Sequence, residues 1–164
     1  MLLTAYTFVH VIISLAGIFS GFVVLFGLLA GKSCNGWTAL FLWTTVATSV
    51  TGFFFPVHHF MPSHAVGIIS LLVLAVAIYA RYPRHLVGAW RKVYVVCATL
   101  ALYLNVFVAI VQAFLKIPAL KALAPPQTEP PFKLTQLVVL TLFVVFAVVA
   151  AIRFRVAPAS TTPA

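Results

Sequence analysis

Residues 1–31, MLLTAYTFVHVIISLAGIFSGFVVLFGLLAG, contain no Asp, Glu, Lys or Arg. A transmembrane α-helix needs about 20 consecutive apolar residues to cross a hydrocarbon layer of about 30 Å. A secretory signal has an apolar region of only about 7–15 residues behind a basic segment, which is missing here. We therefore expect this stretch to be retained as the first membrane span.

The chain as a whole is also strongly hydrophobic and carries few charges. Of its 164 residues, 64% are hydrophobic and 7% are charged, against about 25% charged in a soluble domain. Backbone groups that face lipid must bond within their own segment, so each span is a helix. The sequence predicts an all-α membrane bundle of one domain, 1–155, and a disordered cytoplasmic tail, 156–164. Five spans are predicted near 6–30, 37–55, 64–80, 92–115 and 134–152.

The charges predict an orientation. Ten Lys and Arg face a single acid, Glu129, and they lie in short loops, where they set topology and contact anionic lipid headgroups rather than nucleic acid. Seven basic residues fall on one side: Lys32, Arg81, Arg84, Arg91, Lys92, Arg153 and Arg155. Three fall on the other: Lys116, Lys121 and Lys133. The side richer in Lys and Arg is predicted to be cytoplasmic, which places the N-terminus outside and the C-terminus inside.

Small and hydroxyl residues predict how the helices pack. Gly17 and Gly21 form a GxxxG pair, which lets a second helix approach closely. We favour packing within the monomer over a dimer seam. Thr44, Thr48 and Thr51 follow helical spacing in the second span. Their hydroxyls can bond to carbonyls of their own helix, but a small-solute or ion pathway along them stays an alternative.

Most of the histidines and other polar residues, in the spans and in the loops beside them, lie toward the outer side. They are His10, His58, His59, His64, Asn105, Gln112, Gln136 and Glu129. The first interpretation is hydrogen bonding between helices. The second is a transition-metal site formed by His10, His58 or His59, and His64, because imidazole binds copper, zinc, nickel and iron. The third is a b-type haem with His10 and His64 as axial ligands.

Several classes of function are disfavoured. The predicted spans contain no Asp or Glu, so a carboxylate-relay transporter lacks its working groups. No phosphate-binding loop occurs, and a single acid cannot complete a Ser-His-Asp set. Cys34 and Cys97 both map toward the cytoplasmic side and form no CxxC motif. Quinone-linked disulfide chemistry, which needs paired periplasmic cysteines, is therefore disfavoured. We expect a non-enzymatic protein or accessory subunit, in a homo-oligomer or a larger membrane complex.

Three stretches carry a resemblance. HVIISLAGIFSGFVVLFGLLAGKSCNGWTALFLWTTVATSVTGFFFP (10–56), PSHAVGIISLLVLAVAIYARY (62–82) and LALYLNVFVAIVQAFLKIPALKALAPPQTEPPF (100–132) resemble small five-span proteobacterial inner-membrane proteins that carry no assigned activity. The resemblance spans nearly the whole chain. It implies a bacterial plasma membrane, with the outer side periplasmic, and a single-domain unit.

Overall fold

A computed structural model describes residues 2–55 and 62–155. Helices make up 83% of these residues, and no strand occurs among them. The helices are α1 (Leu2–Leu29), α2 (Asn35–Gly52), α3 (Pro62–Arg81), α4 (Trp90–Lys116), α5 (Pro118–Leu123) and α6 (Pro130–Arg153). The predicted all-helical fold is confirmed. His58, His59 and the predicted tail 156–164 lie outside the described residues.

Four of these helices are long and apolar enough to cross a membrane: Leu3–Leu29, His64–Arg81, Trp90–Lys116 and Pro130–Arg153. The chain therefore has the character of a membrane protein, but the predicted count of about five spans is not confirmed. The second predicted span is the one that falls short. α2 has 18 residues, among them five threonines and one serine, and these hydroxyls lower its hydropathy.

Helix α4 lies at the centre of the bundle. It contacts α1, α3, α5 and α6, while α2 packs between α1 and α3. One face of α4 is buried in the core, at Tyr94, Val95, Ala98, Thr99, Ala101, Leu102 and Phe114. By contrast, α6 buries only Phe143 and Ala150 and exposes Leu137, Val144 and Val148 by more than half of their surface. Such an apolar exterior is suited to lipid rather than to water.

The predicted grouping of the loops at two ends is visible in the contacts. Arg81 at the end of α3 donates to Asn35 Oδ1 at the start of α2, over 2.7 Å. Arg91 at the start of α4 donates to the carbonyls of Ala151 and Phe154 at the end of α6. We call this end of the bundle the basic end. The opposite end, which begins α1 and ends α2, is the histidine end.

Candidate functional site

Polar and small residues of α1 face hydroxyl residues of α2 along one line, which we call the α1–α2 seam. Its members are Tyr6, His10, Ser14 and Gly17 on α1, and Thr44, Thr45, Thr48 and Thr51 on α2. Residues three or four apart lie on the same face of a helix. The spacing on each helix therefore produces one polar stripe, and the antiparallel packing of α1 and α2 brings the two stripes together.

At the histidine end of the seam, Thr51 forms hydrogen bonds with both Tyr6 and His10. The Tyr6 hydroxyl donates to the Thr51 carbonyl over 2.5 Å, and His10 Nδ1 lies 2.8 Å from Thr51 Oγ1. The single proton of the Thr51 hydroxyl goes to the Ala47 carbonyl, 2.7 Å away. Thr51 Oγ1 therefore accepts a hydrogen bond from His10 Nδ1–H. In neutral imidazole this leaves the lone pair on Nε2.

Two neighbours hold the His10 ring in place. The ring of Phe55 meets it edge-on with centroids 5.0 Å apart, and Phe55 packs in the same manner on Tyr6 at 5.0 Å. On α2, the position of a β-carbon on Gly52 would lie 3.9 Å from His10 Cε1, which is ordinary contact. His10 is half-buried. Its orientation is thus fixed by one hydrogen bond and by packing.

Further along the seam, hydroxyl and amide groups continue the pattern. Ser14 Oγ donates to the His10 carbonyl over 2.7 Å and lies 3.3 Å from Thr48 Oγ1. Asn105 of α4 then donates from Nδ2 to Thr45 Oγ1 over 3.1 Å. The seam therefore ties α4 to α1 and α2.

The seam is tightly packed where a pathway along α2 would have to pass. A β-carbon on Gly17 would lie 3.2 Å from Thr44 Oγ1 and 3.4 Å from Thr45 Oγ1. The Thr44 hydroxyl donates back to the Leu40 carbonyl of its own helix over 2.7 Å, and Thr45 is fully buried. α1 and α2 are therefore in close contact at this level.

The other predicted ligands are His64, His58 and His59. The His64 ring packs against Phe53 with centroids 5.7 Å apart, whereas His10 packs against Phe55. Both rings thus lie against the segment that follows α2. Within residues 2–55 and 62–155, no group of three or more His, Cys, Asp or Glu is placed to hold a metal ion. His58 and His59 lie in the gap between those ranges.

The remaining predicted polar residues do not bond to one another. Gln136 donates from Nε2 to the Phe107 carbonyl over 3.3 Å, and its buried Oε1 accepts no hydrogen bond from the described part of the chain. Gln112 is exposed on α4. Glu129 precedes α6, where its Oε2 accepts the backbone N–H of Thr128 over 3.0 Å. These residues link α4 and α6 or lie at the surface.

Gly17 and Gly21 face the interior of the monomer. Gly17 lies against Thr44, Thr45 and Asn105, and a β-carbon on Gly21 would lie 2.5 Å from Leu102 Cδ1. The glycines therefore allow α1 to approach both α2 and α4.

The sequence predicts separate roles for the threonines and for His10, and Tyr6 is not among the predicted polar residues. The signal was present in the spacing of residues 6, 10, 14, 17 and 21, which places one aromatic hydroxyl, one imidazole, one serine and two glycines on a single face of α1. What the sequence did not contain is the register between α1 and α2. That register decides that His10 meets Thr51 rather than Thr48.

No family model, curated protein or solved structure matches this chain.

Proposed function

We propose that this chain is a five-span protein of a bacterial plasma membrane and acts as a non-enzymatic accessory subunit of a larger membrane complex. The fifth span in this proposal is α2. It follows α1 from Cys34, beside Gly27, to Thr51, beside Tyr6. The 18 residues of α2 are about 27 Å long at a rise of about 1.5 Å per residue. That is about the thickness of the hydrocarbon layer.

The orientation in the proposal places the basic end in the cytoplasm and the N-terminus in the periplasm. Seven of the ten basic residues belong to that end by sequence. The asymmetry of Lys and Arg in short loops favours it.

The absence of an enzymatic role is supported by how the polar groups are used. His10, Ser14 and Asn105 bond to Thr51, Thr48 and Thr45. In the same way Ser49 of α2 donates to Ser70 of α3 over 3.1 Å. Such bonds between membrane helices hold a bundle together.

The observation that carries the accessory role is the indole of Trp43. Trp43 is the ninth of the 18 residues of α2, at mid-depth if α2 spans the membrane, and 74% of its surface is exposed. Trp prefers the membrane interface, where its N–H reaches water or headgroups. An exposed indole at mid-depth is better accommodated by a helix of another subunit.

Site-specific photocrosslinking tests the accessory role. A photoreactive phenylalanine replaces Trp43 in the full chain, in the membrane of its native host, and a matched probe replaces Leu142 of α6, which is 48% exposed. We expect one discrete protein adduct from position 43 and none from position 142. An adduct with a second copy of this chain would contradict the accessory role and show a homo-oligomer instead. The absence of any adduct would contradict both the accessory role and the homo-oligomer.

A second candidate function is a haem- or metal-binding redox component that uses His10 with His64. It is favoured by the hydrogen bond from His10 Nδ1 to Thr51. Metal-binding histidines almost always donate their second ring nitrogen to a neighbouring acceptor, which leaves the other nitrogen for the metal. The test is the visible spectrum and the metal content of purified protein, compared between wild type, His10→Ala and His64→Ala. A Soret band or stoichiometric metal that both variants lose would support this function, and a sample without either would remove it.

A further inference from the structure

The basic end carries a groove that the α1–α2 seam does not involve. It lies between the end of α1 and the end of α6 and has a volume of about 440 Å³. Its lining residues are Leu29, Ala30, Gly31, Ile152, Arg153 and Arg155. Both helices are long and apolar enough to cross a membrane, so the groove lies where the hydrocarbon layer meets the headgroups.

The walls of the groove are fixed by contacts. A β-carbon on Gly31, which has φ of 72°, would lie 3.3 Å from the Arg153 carbonyl, so α1 and α6 touch at this point. Arg91 of α4 donates to the carbonyls of Ala151 and Phe154. Phe154 is buried, with its ring centroid 6.5 Å from that of Tyr94. The last turn of α6 and the residues after it are therefore anchored to α4.

The charge of the groove is positive. Arg153 and Arg155 line it, Lys32 follows Gly31 in the chain, and the only acid of the protein, Glu129, precedes the opposite end of α6. The C-termini of α1 and α6 each contribute about half a negative charge. Together they offset about one of the two positive units that Arg153 and Arg155 contribute. Lys32, next to Gly31 in the chain, and Arg91, bonded to the end of α6, add positive charge beside the groove.

Apolar surface continues from the groove into the membrane. Phe26 and Val148 lie one turn before Ala30 and Ile152 on the same helices, and they are 58% and 54% exposed. A guanidinium group can bind phosphate oxygens through two parallel hydrogen bonds. We propose that this groove binds the phosphate of an anionic phospholipid, whose acyl chains lie against Phe26 and Val148. The site goes beyond the accessory role and does not depend on it.

Competition binding of a short-chain fluorescent phosphatidylglycerol to the full chain in non-ionic detergent tests this proposal. The competitors are phosphatidylglycerol, phosphatidylcholine with the same acyl chains, and inorganic phosphate. The test variant is R153Q/R155Q, in which both replaced residues are exposed. The control is K116Q/K121Q, which removes the same charge from exposed residues of the opposite end.

We expect phosphatidylglycerol to bind wild type about tenfold or more tightly than phosphatidylcholine, because each basic residue near the surface adds attraction for anionic lipid. R153Q/R155Q should lose this preference and K116Q/K121Q should keep it. Equal loss in both variants would show a response to net charge alone and would overturn the site. Displacement by inorganic phosphate as effective as by phosphatidylglycerol would overturn the lipid as its ligand. A second measurement is the increase in unfolding temperature on addition of phosphatidylglycerol. We expect this increase in wild type and K116Q/K121Q and its loss in R153Q/R155Q.

Discussion

At the scale of single residues, the seam depends on pairs that link two helices. His10 on α1 and Thr51 on α2 are 41 positions apart in the chain and are joined by a hydrogen bond of 2.8 Å. The sequence could identify His10 as a polar group in an apolar helix, and it could predict that the threonines bond to their own backbone. It could not predict the pairing, because that requires the rotation and the register of both helices.

The pair can be measured by a double-mutant cycle of His10→Ala and Thr51→Val. We expect a coupling free energy of about 0.6 kcal/mol, the average for hydrogen bonds between membrane helices. The measurement is reversible unfolding of the four proteins in mixed micelles of detergent and sodium dodecyl sulfate. The matched control is the cycle of His10→Ala with Thr44→Val, because Thr44 also donates to carbonyls of its own helix but lies beside Gly17 of α1 rather than beside His10. A coupling as large for Thr44 as for Thr51 would contradict the assigned contact.

The close packing around Gly21 predicts that a larger residue there destabilises the protein. A β-carbon there would lie 2.5 Å from Leu102 Cδ1 and 2.9 Å from Phe41 Cδ2, so both side chains must move. We expect Gly21→Ala to lower the free energy of unfolding by about 1–3 kcal/mol, the usual cost of overpacking. Gly36→Ala is the control, because nothing lies within 4 Å of its β-carbon position, and it should be neutral or slightly stabilising. Equal stability of the two variants would contradict the close approach of α1 to α4.

At the scale of elements, the sequence predicted where the helices lie but not how each contributes to the bundle. The apolar runs predicted spans near 92–115 and 134–152, and α4 and α6 extend over Trp90–Lys116 and Pro130–Arg153. α6 begins one turn before the predicted start at 134, with two prolines, which are tolerated at the start of a helix. That α4 is central and α6 peripheral could not be predicted, because in lipid the exposed and buried faces are both apolar.

The contacts of Arg91 predict its effect on the stability of α6. Its guanidinium donates to the carbonyls of Ala151 and Phe154. Because α6 ends at Arg153, these carbonyls lie at the helix terminus, where the helix itself provides no N–H donor. Hydrogen bonds from charged groups contribute about 1.5–3 kcal/mol. We expect Arg91→Ala to destabilise the protein by an amount toward the lower end of this range, measured by unfolding in mixed micelles. Lys92→Ala, at the exposed neighbouring position, should have little effect. If the two variants lose equal stability, the anchor between α4 and α6 is contradicted.

At the scale of the whole molecule, the two ends differ in chemistry. The basic end brings together Asn35 and Arg81, and Arg91 with the end of α6. The histidine end brings together Tyr6, His10 and Thr51. The sequence predicted this division, because alternating spans place alternate loops on the same side. Which end faces the cytoplasm is a prediction from the positive-inside rule.

We propose that α2 crosses the membrane as a span, which makes the number of crossings odd and places the termini on opposite sides. The direct measurement is labelling of single cysteines in whole bacterial cells with a membrane-impermeant maleimide, in a background that carries Cys34→Ser and Cys97→Ser. Ser33→Cys lies just before α2, and Phe54→Cys lies just after it at a position that is 72% exposed. We expect Phe54→Cys to be labelled in intact cells and Ser33→Cys to be labelled only after the membrane is permeabilised. Labelling of both cysteines from the same side would contradict it.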